Sequence, residues 1–172
     1  FLIVAITLGA SMRRFDRLLL GTAALERERT NLSRYFSPNV VEELSQNDDP
    51  LKQIRTQGIA VMFVDIVGFT EYASKRSPEE VIWTLRDFHA LMETEIFKYG
   101  GTLDKFLGDG LMATFGTPST GPSDSLNAIK CARAMMVSAD HWNVERRDLA
   151  EPEIKVSIGL HFGEVVLGDI GV

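Results

Sequence analysis

The sequence predicts an α+β domain, and three patterns along the chain carry this prediction. Residues 58–64 form a near-continuous apolar run of strand length, and a capped helix signal follows at residues 77–80. The Gly108-Asp109 dipeptide then lies between two short apolar segments, as in a two-residue hairpin. With a second helix and a last strand beyond it, the order is strand, helix, strand, strand, helix, strand. This order is typical of the ferredoxin-like βαββαβ fold.

The first strand and the first helix are the most clearly marked elements. The run GIAVMFV at residues 58–64 has the pattern of a central strand that is covered on both faces. Ser77-Pro78 and Glu80 combine a capping serine, a proline at the first helical position and a capping-box glutamate. We expect this helix to end near Gly100. Its buried side is predicted to hold Val81, Leu85, Phe88, Met92 and Ile96.

The second half of the domain follows from the same kinds of pattern. Residues 102–107 and 110–115 are expected to pair as the hairpin strands, and residues 154–162 form the last strand. Asp124 is expected to cap a helix, and residues 143–153 are interpreted as a charged connection. That helix is predicted to carry Leu126, Ile129 and Met136, and the core is predicted to take up Met112, Met135 and Met136.

Composition excludes several classes of protein. The chain has 172 residues, 45% of them hydrophobic, which is enough for a folded core. Cys131 is its single cysteine, so no disulfide can form within the chain. The three histidines have no metal-ligand spacing and are interpreted as packing or surface residues: His89, His141 and His161. A disulfide-stapled secreted scaffold and a zinc site are therefore both disfavoured.

The charge is unevenly distributed. Residues 1–36 hold six Lys and Arg against three Asp and Glu, whereas residues 37–172 hold twelve against twenty-one. The globular part is therefore acidic. Because phosphate neutralisation supplies most non-specific affinity for nucleic acids, we expect no nucleic-acid partner.

The N-terminus suggests a membrane anchor. Phe1–Ala10 is uniformly apolar, and Arg13, Arg14 and Arg17 follow it. Ten residues are too few to cross a bilayer, which needs about 20. Residues 1–12 are therefore interpreted as the cytoplasmic end of a transmembrane helix, in agreement with the positive-inside bias, and the alternative is a buried helix. The expected localisation is the cell membrane, with the globular domain in the cytoplasm.

Residues 13–49 are expected to form a helical stalk that ends in a short second helix. Leu18, Leu25 and Leu32 repeat at heptad spacing, although Thr22 and Arg29 interrupt the seam. A parallel helical pair and a single amphipathic helix packed on its own domain remain equally open. The polar stretch at residues 46–50 places the domain boundary there, and the domain is assigned to residues 50–172.

Two aspartates are the candidate chemical groups. Asp65 ends the first strand and is followed by Gly68 and Thr70, an arrangement that suits the approach of a phosphate or a simple capped turn. Asp109 lies at the hairpin tip, where a solvated turn residue is the ordinary interpretation. In the ferredoxin-like order, however, the end of the first strand and the hairpin tip can approach each other. The two carboxylates could then share Mg²⁺, which prefers oxygen ligands and substrate phosphates.

These residues carry a family resemblance. FVDIVGFT at residues 63–70 and KFLGDGLMATFG at residues 105–116 resemble the catalytic domain of class III nucleotidyl cyclases, the adenylyl and guanylyl cyclase family. RYFSPNVVEEL at residues 34–44 resembles the transducer segment that precedes this domain in membrane-linked bacterial members. Two motifs in the correct order are far more specific than one glycine-rich loop.

The resemblance implies roles for matching positions only. Asp65 and Asp109 match the two metal-binding aspartates, and Ile66 matches the residue whose carbonyl helps to hold the second ion. Lys105 matches the purine-reading residue, which is typically Lys in adenylyl cyclases and Glu in guanylyl cyclases. The remaining substrate-binding positions implied by the resemblance are Ile66, Val67, Gly68, Phe69, Thr70, Leu107 and Gly108.

The implied reaction is the conversion of ATP to cyclic AMP and pyrophosphate, assisted by two Mg²⁺ or Mn²⁺ ions per site. In this family the site lies between two domains, so one chain that carries both aspartates and Lys105 implies a head-to-tail homodimer. The chain stops at Val172, before the positions of the second purine-reading residue and of the Asn and Arg that stabilise the transition state. We therefore expect the 172-residue chain alone to have little or no activity. A guanylyl cyclase and a non-catalytic dimerisation module are the alternatives.

Overall fold

The computed structural model describes residues 54–168. The predicted membrane segment (1–12) and stalk (13–49) lie outside the described residues. In chain order the elements are β1 (Arg55–Ile66), α1 (Phe69–Ser74), α2 (Pro78–Lys98), β2 (Thr102–Leu107), β3 (Gly110–Phe115), α3 (Asp124–Asp148) and β4 (Val156–Leu167). Apart from the short helix α1, this is the predicted βαββαβ order, and the expected α+β ferredoxin-like class is confirmed.

The four strands form one sheet in the order β2-β3-β1-β4. Every neighbouring pair is antiparallel, and β1 is hydrogen-bonded to β3 on one side and to β4 on the other. The hairpin between β2 and β3 turns at the same end of the sheet at which β1 finishes. The topology therefore brings the end of β1 next to the hairpin tip.

Helices cover one face of the sheet. The even-numbered side chains of β1 point into this layer: Ala60, Met62, Val64 and Ile66 are all buried. Phe88 and Met92 of α2 and Met135 of α3 pack against the same core. The opposite face has no helices in residues 54–168, and Phe63 on it is 49% exposed. The expectation that β1 is covered on both faces is therefore wrong for the single chain, because an apolar run does not report which face is left open.

The predicted helix α2 begins with the expected capping box. The Ser77 hydroxyl accepts a hydrogen bond from the Glu80 backbone N–H at 3.3 Å, and the Glu80 carboxylate accepts one from the Ser77 N–H at 2.9 Å. Pro78 occupies the first turn, where its missing N–H costs nothing. The helix ends at Lys98, close to the predicted stop at Gly100.

Helix α3 differs from the prediction at both ends. Ser123, not Asp124, precedes its first turn, and the Asp124 carboxylate instead accepts a hydrogen bond from the Gly121 N–H at 2.6 Å. The helix continues to Asp148 through the segment that was expected to be a connection. Its continuation is explained by two buried polar side chains. Asn143 bonds both backbone groups of Ile154, and Arg146 forms an ion pair with Glu151 at 2.9 Å.

The side of α3 that faces the core is made of small or sulfur-containing residues, namely Ala128, Cys131, Met135 and Ala139. Leu126 and Ile129 are each 51% exposed and Met136 is 44% exposed, so the prediction that Met136 fills the core is wrong. Across residues 54–168, no helix is both long and apolar enough for a membrane span.

Candidate active site

Asp65 lies near the end of β1 on the open face of the sheet. Along β1 the side chains alternate, so Phe63 and Asp65 point away from the helices while Val64 and Ile66 point into the core. Asp65 is exposed. In the antiparallel register it lies opposite Gly110 of β3 and Ser157 of β4.

Asp109 lies at the turn between β2 and β3, as predicted. It directly precedes Gly110, the cross-strand partner of Asp65. The pairing of β1 with β3 therefore brings the two aspartates to one corner of the sheet, although they are far apart in the sequence. Asp109 is half-buried, in contrast to the exposed Asp65.

Gly110 leaves room for the Asp65 carboxylate. A Cβ atom at Gly110 would lie 2.7 Å from the backbone oxygen of Val64 and 2.9 Å from Oδ1 of Asp65. Both distances are shorter than real Cβ contacts, so any side chain at this position would push the strands or the carboxylate away. Glycine is thus required by close approach at the corner that holds both aspartates.

The predicted phosphate-cradling turn follows β1 directly. Ile66 is buried, Val67 and Thr70 are exposed, and the Val67 N–H donates a hydrogen bond to the Lys155 carbonyl at 2.8 Å. Gly68 has φ 74°, a left-handed conformation that side chains other than glycine rarely adopt. The turn is therefore fixed at both ends, by the backbone of Lys155 just before β4 on one side and by the start of α1 on the other.

Lys105 shares the open face with Asp65. It pairs with Met112 of β3, which in turn pairs with Phe63 of β1, so these three residues form one row across the sheet. A register shift in β2 between Leu103 and Lys105 leaves Asp104 outside the regular pairing. The Asp104 carboxylate forms an ion pair with Lys105 Nζ at 3.2 Å. Leu107 and Gly108 continue from this row to the exposed hairpin tip.

His89 belongs to α2 in the helical layer, and its pKa is affected by the charge of Asp109. Burial lowers the pKa of His89, and the negative charge of Asp109 raises it by a smaller amount. The imidazole therefore lies within the electrostatic field of the hairpin tip, although it belongs to α2.

The donor set fits hard divalent cations. Neither Asp65 nor Asp109 forms an ion pair with a lysine or arginine of residues 54–168, so both carboxylates are available. The same part of the chain contains no cluster of three or more His, Cys, Asp or Glu side chains suited to an ion. Mg²⁺ commonly uses a ligand set of carboxylates and other oxygen atoms that substrate phosphates complete.

Sequence reasoning found the two aspartates, Lys105 and the turn, and the structure brings all of them to one face or end of the sheet. The sequence patterns did not single out Phe63, Asp104 or His89. The β-bulge that leaves Asp104 outside the strand pairing has no clear sequence signal. His89 was interpreted as a packing or surface residue, and only its position beneath the hairpin distinguishes it from the other histidines.

Comparison with known proteins identifies the family. A sequence profile described as the adenylate and guanylate cyclase catalytic domain matches residues 51–172. The chain therefore belongs to the adenylyl and guanylyl cyclase catalytic domain family.

Individual relatives agree with this assignment. The chain is 33% identical to the guanylyl cyclase Cya2, with a TM-score of 0.65 over 69% of this chain and 60% of that chain. It is 29% identical to the adenylyl cyclase CyaB from P. aeruginosa, with a TM-score of 0.66 over 70% of this chain and 63% of that chain. An uncharacterized protein of Mycobacterium tuberculosis is 30% identical over 95% of this chain. The match spans only 29% of the length of that protein.

Proposed function

We propose that this chain belongs to an adenylyl cyclase, which converts ATP to 3′,5′-cyclic AMP and pyrophosphate in signal transduction. The observation that carries the proposal is the meeting of Asp65 and Asp109 at one corner of the sheet, set by the pairing of Asp65 with Gly110. Membership of the cyclase family supports nucleotide cyclisation as the reaction class.

Each candidate residue has a separate task in this proposal. Asp65, Asp109 and the backbone carbonyl of Ile66 would hold two Mg²⁺ or Mn²⁺ ions. Such ions, when bound, acidify the attacking 3′-hydroxyl and neutralise the leaving pyrophosphate. Residues 66–70 and the hairpin residues Leu107 and Gly108 would border the triphosphate. The protein positions groups and charges, and no protein nucleophile is needed.

The base preference is argued from Lys105. Its ammonium group can only donate hydrogen bonds, which suits the N1 acceptor of adenine, whereas guanine presents an N1–H donor at the same place. Lys105 lies on the open face, where its ammonium group forms an exposed ion pair with Asp104 at 3.2 Å. ATP is therefore the proposed substrate, while guanylyl cyclases such as Cya2 are found among the relatives.

The proposed active unit is a head-to-tail homodimer that closes over the open face. Phe63 is half exposed there and lies in one row with Met112 and Lys105. In such a dimer, Lys105 of one protomer would read the base of a nucleotide whose phosphates lie at Asp65 and Asp109 of the other. Two equivalent sites would result from the two-fold symmetry.

The proposal also includes a membrane anchor and a cytoplasmic catalytic domain. It is supported by the apolar run Phe1–Ala10 and the arginines that follow it. These residues lie outside the described part of the structure.

The test is an assay of the full-length protein with Mg²⁺ or Mn²⁺ and either ATP or GTP. We expect cyclic AMP from ATP, and we expect Asp65→Ala or Asp109→Ala to reduce its formation by at least about a hundredfold. Asp140→Ala is the matched control, because Asp140 is an exposed carboxylate on α3 and should leave the rate unchanged.

The alternatives give different results in the same assay. Formation of cyclic GMP from GTP alone would identify a guanylyl cyclase. No cyclic nucleotide from either substrate would favour a non-catalytic dimerisation module. Full activity of Asp65→Ala or Asp109→Ala would refute the assignment of the cation ligands.

A further inference from the structure

Helix α1 carries the end of the turn at residues 66–70 but has little anchorage of its own. Phe69 and Thr70 belong to both the turn and the helix. The helix has only six residues, and none of them is fully buried. Gly68, which precedes its first turn, offers no side chain to cap it. Because helices this short are unstable in isolation, contacts with other elements must hold α1 in place.

Tyr72 makes the anchoring contacts of α1. Its hydroxyl oxygen accepts a hydrogen bond from Nη2 of Arg146 on α3 at 3.2 Å and lies 2.8 Å from Oγ1 of Thr84 on α2. Since the oxygen accepts the bond from Arg146, its own hydrogen can be donated to Thr84. The ring of Tyr72 is also stacked on that of Phe69, with 6.1 Å between the centroids. One hydroxyl group therefore ties α1 to both long helices.

Arg146 is almost completely buried, with only 4% of its side chain exposed. A buried charge is strongly destabilising unless an opposite charge and hydrogen bonds compensate it. The guanidinium forms an ion pair with Glu151 at 2.9 Å, and its Nε–H donates a hydrogen bond to the Pro152 carbonyl at 2.8 Å. Both partners belong to the connection at residues 149–155 between α3 and β4. Through Tyr72, Arg146 thus joins this connection to α1.

The same connection holds the other end of the turn. The Val67 N–H donates a hydrogen bond to the Lys155 carbonyl at 2.8 Å. The preceding residue, Ile154, is fixed by two hydrogen bonds between its backbone groups and the side-chain amide of Asn143, at 2.8 and 2.9 Å. The last turns of α3 therefore restrain both ends of the turn, through Asn143 at one end and through Arg146 and Tyr72 at the other.

We propose that Tyr72 is a positioning residue for the triphosphate of the nucleotide: by binding Arg146 and Thr84, its hydroxyl keeps the turn at residues 66–70 in the conformation that accepts the phosphates. The inference rests on the proposed function, which places the triphosphate at this turn. Without the hydroxyl, a smaller fraction of the protein would have the turn in that conformation, and the apparent affinity would fall by the same factor.

The test is Tyr72→Phe, which removes the hydroxyl and keeps the ring. We expect the KM for MgATP and the Kd of α,β-methylene-ATP to rise about fivefold, as for the loss of one hydrogen bond. The value of kcat should stay within about twofold, because strand pairing and not α1 holds the corner with Asp65 and Asp109. The measurements are cyclic AMP formation over a range of ATP concentrations and isothermal titration calorimetry with the analogue, both on the full-length protein.

Ser138→Ala is the matched control. It also removes a half-buried hydroxyl between α3 and α2, which donates a hydrogen bond to Glu95 at 2.9 Å, but it touches neither α1 nor the connection to β4. We expect it to lower the thermal midpoint and to leave KM and Kd unchanged. A purely structural role of Tyr72 predicts the same for Tyr72→Phe, and that result, or a fall in kcat alone, would overturn the proposal.

Thr84→Val is the second variant, and it carries the test should Tyr72→Phe fail to fold. It removes one of the two partners of the Tyr72 hydroxyl and should raise the same two constants by about twofold. Unchanged constants in this variant would also count against the positioning role.

The two hypotheses fail in different ways. Wild-type protein that neither binds the analogue nor forms a cyclic nucleotide would contradict both the proposed function and the positioning role. Wild-type activity that Asp65→Ala abolishes, with KM and Kd unaltered in Tyr72→Phe, would contradict only the role of Tyr72. Activity with GTP alone would correct the substrate, and the same constants would then be measured with GTP and its α,β-methylene analogue, since the triphosphate is common to both nucleotides.

Discussion

Cys131 shows how the core controls the chemistry of a single residue. The thiol is fully buried on the inner side of α3. Burial and, to a smaller extent, the negative charge of Glu95 raise the pKa of Cys131 to about 12, against a smaller opposing effect of Lys98. Because only the thiolate is nucleophilic, the folded protein should have an inert thiol.

We predict that Cys131 reacts with Ellman's reagent at pH 8 at least about a thousandfold more slowly in the native protein than in urea. At that pH only about one thiol in ten thousand is ionised when the pKa is about 12. The measurement is the absorbance change with and without denaturant. Rapid reaction of the native thiol would show that α3 opens readily and would contradict the expected protection.

At the residue scale, the sequence patterns predicted where the two candidate aspartates lie. Asp65 was singled out because it ends an apolar strand segment, and Asp109 because it belongs to the turn dipeptide between two short apolar segments. Phe63 was not recognised as exposed, because strand periodicity shows that two faces exist but not what covers them. His89 could not be separated from other helical histidines, since its neighbour Phe106 is distant in the sequence.

At the scale of elements, the capping box of α2 gives a direct test of local sequence signals. We predict that Ser77→Ala lowers the free energy of unfolding by about 1 kcal/mol, because the first turn loses a hydrogen-bond acceptor. The measurement is urea unfolding followed by circular dichroism. Thr94→Ala within the same helix is the control. It removes only an exposed hydroxyl that bonds the Ala90 carbonyl and should cause no loss.

The pH dependence of this cap has a definite sign. The backbone N–H of Ser77 lowers the pKa of Glu80 below its ordinary value of 4.5. The stabilisation is therefore fully present above that pH and decreases as the solution becomes more acidic. A stabilising effect of Glu80, measured by Glu80→Ala, that grew on acidification would contradict the capping role.

Elements defined by local patterns were predicted well, and those defined by tertiary contacts were not. The hairpin strands match their predicted bounds at residues 102–107 and 110–115. Helix α3 was predicted to stop too early, because its last turns are polar in sequence and owe their order to the buried contacts of Asn143 and Arg146. The strands β1 and β4 were predicted too short, since each continues as long as its partner supplies hydrogen bonds.

At the scale of the whole molecule, the open face of the sheet is the surface on which the dimer proposal depends. We predict that Phe63→Lys weakens dimerisation by at least about tenfold, because a charge would be buried in the centre of the proposed interface. The measurement is sedimentation velocity of the full-length protein over a range of concentrations. Cyclase activity per protein should fall in parallel.

Val137→Lys is the control for this prediction. Val137 is 53% exposed on α3, in the helical layer on the other side of the sheet. A variant at this position should leave both the dimer and the activity unchanged. Equal effects of the two substitutions would argue that the open face has no special role in assembly.

The order of strands in the sheet also has a consequence for synthesis on the ribosome. Asp65 leaves the exit tunnel early, but its neighbour at the corner belongs to a hairpin that is translated after the whole of α2. Until β3 has emerged and inserted beside β1, a nascent chain has one carboxylate without the other. Such non-local pairing forms slowly, so the corner is completed late in folding, and incomplete translation products should lack it altogether.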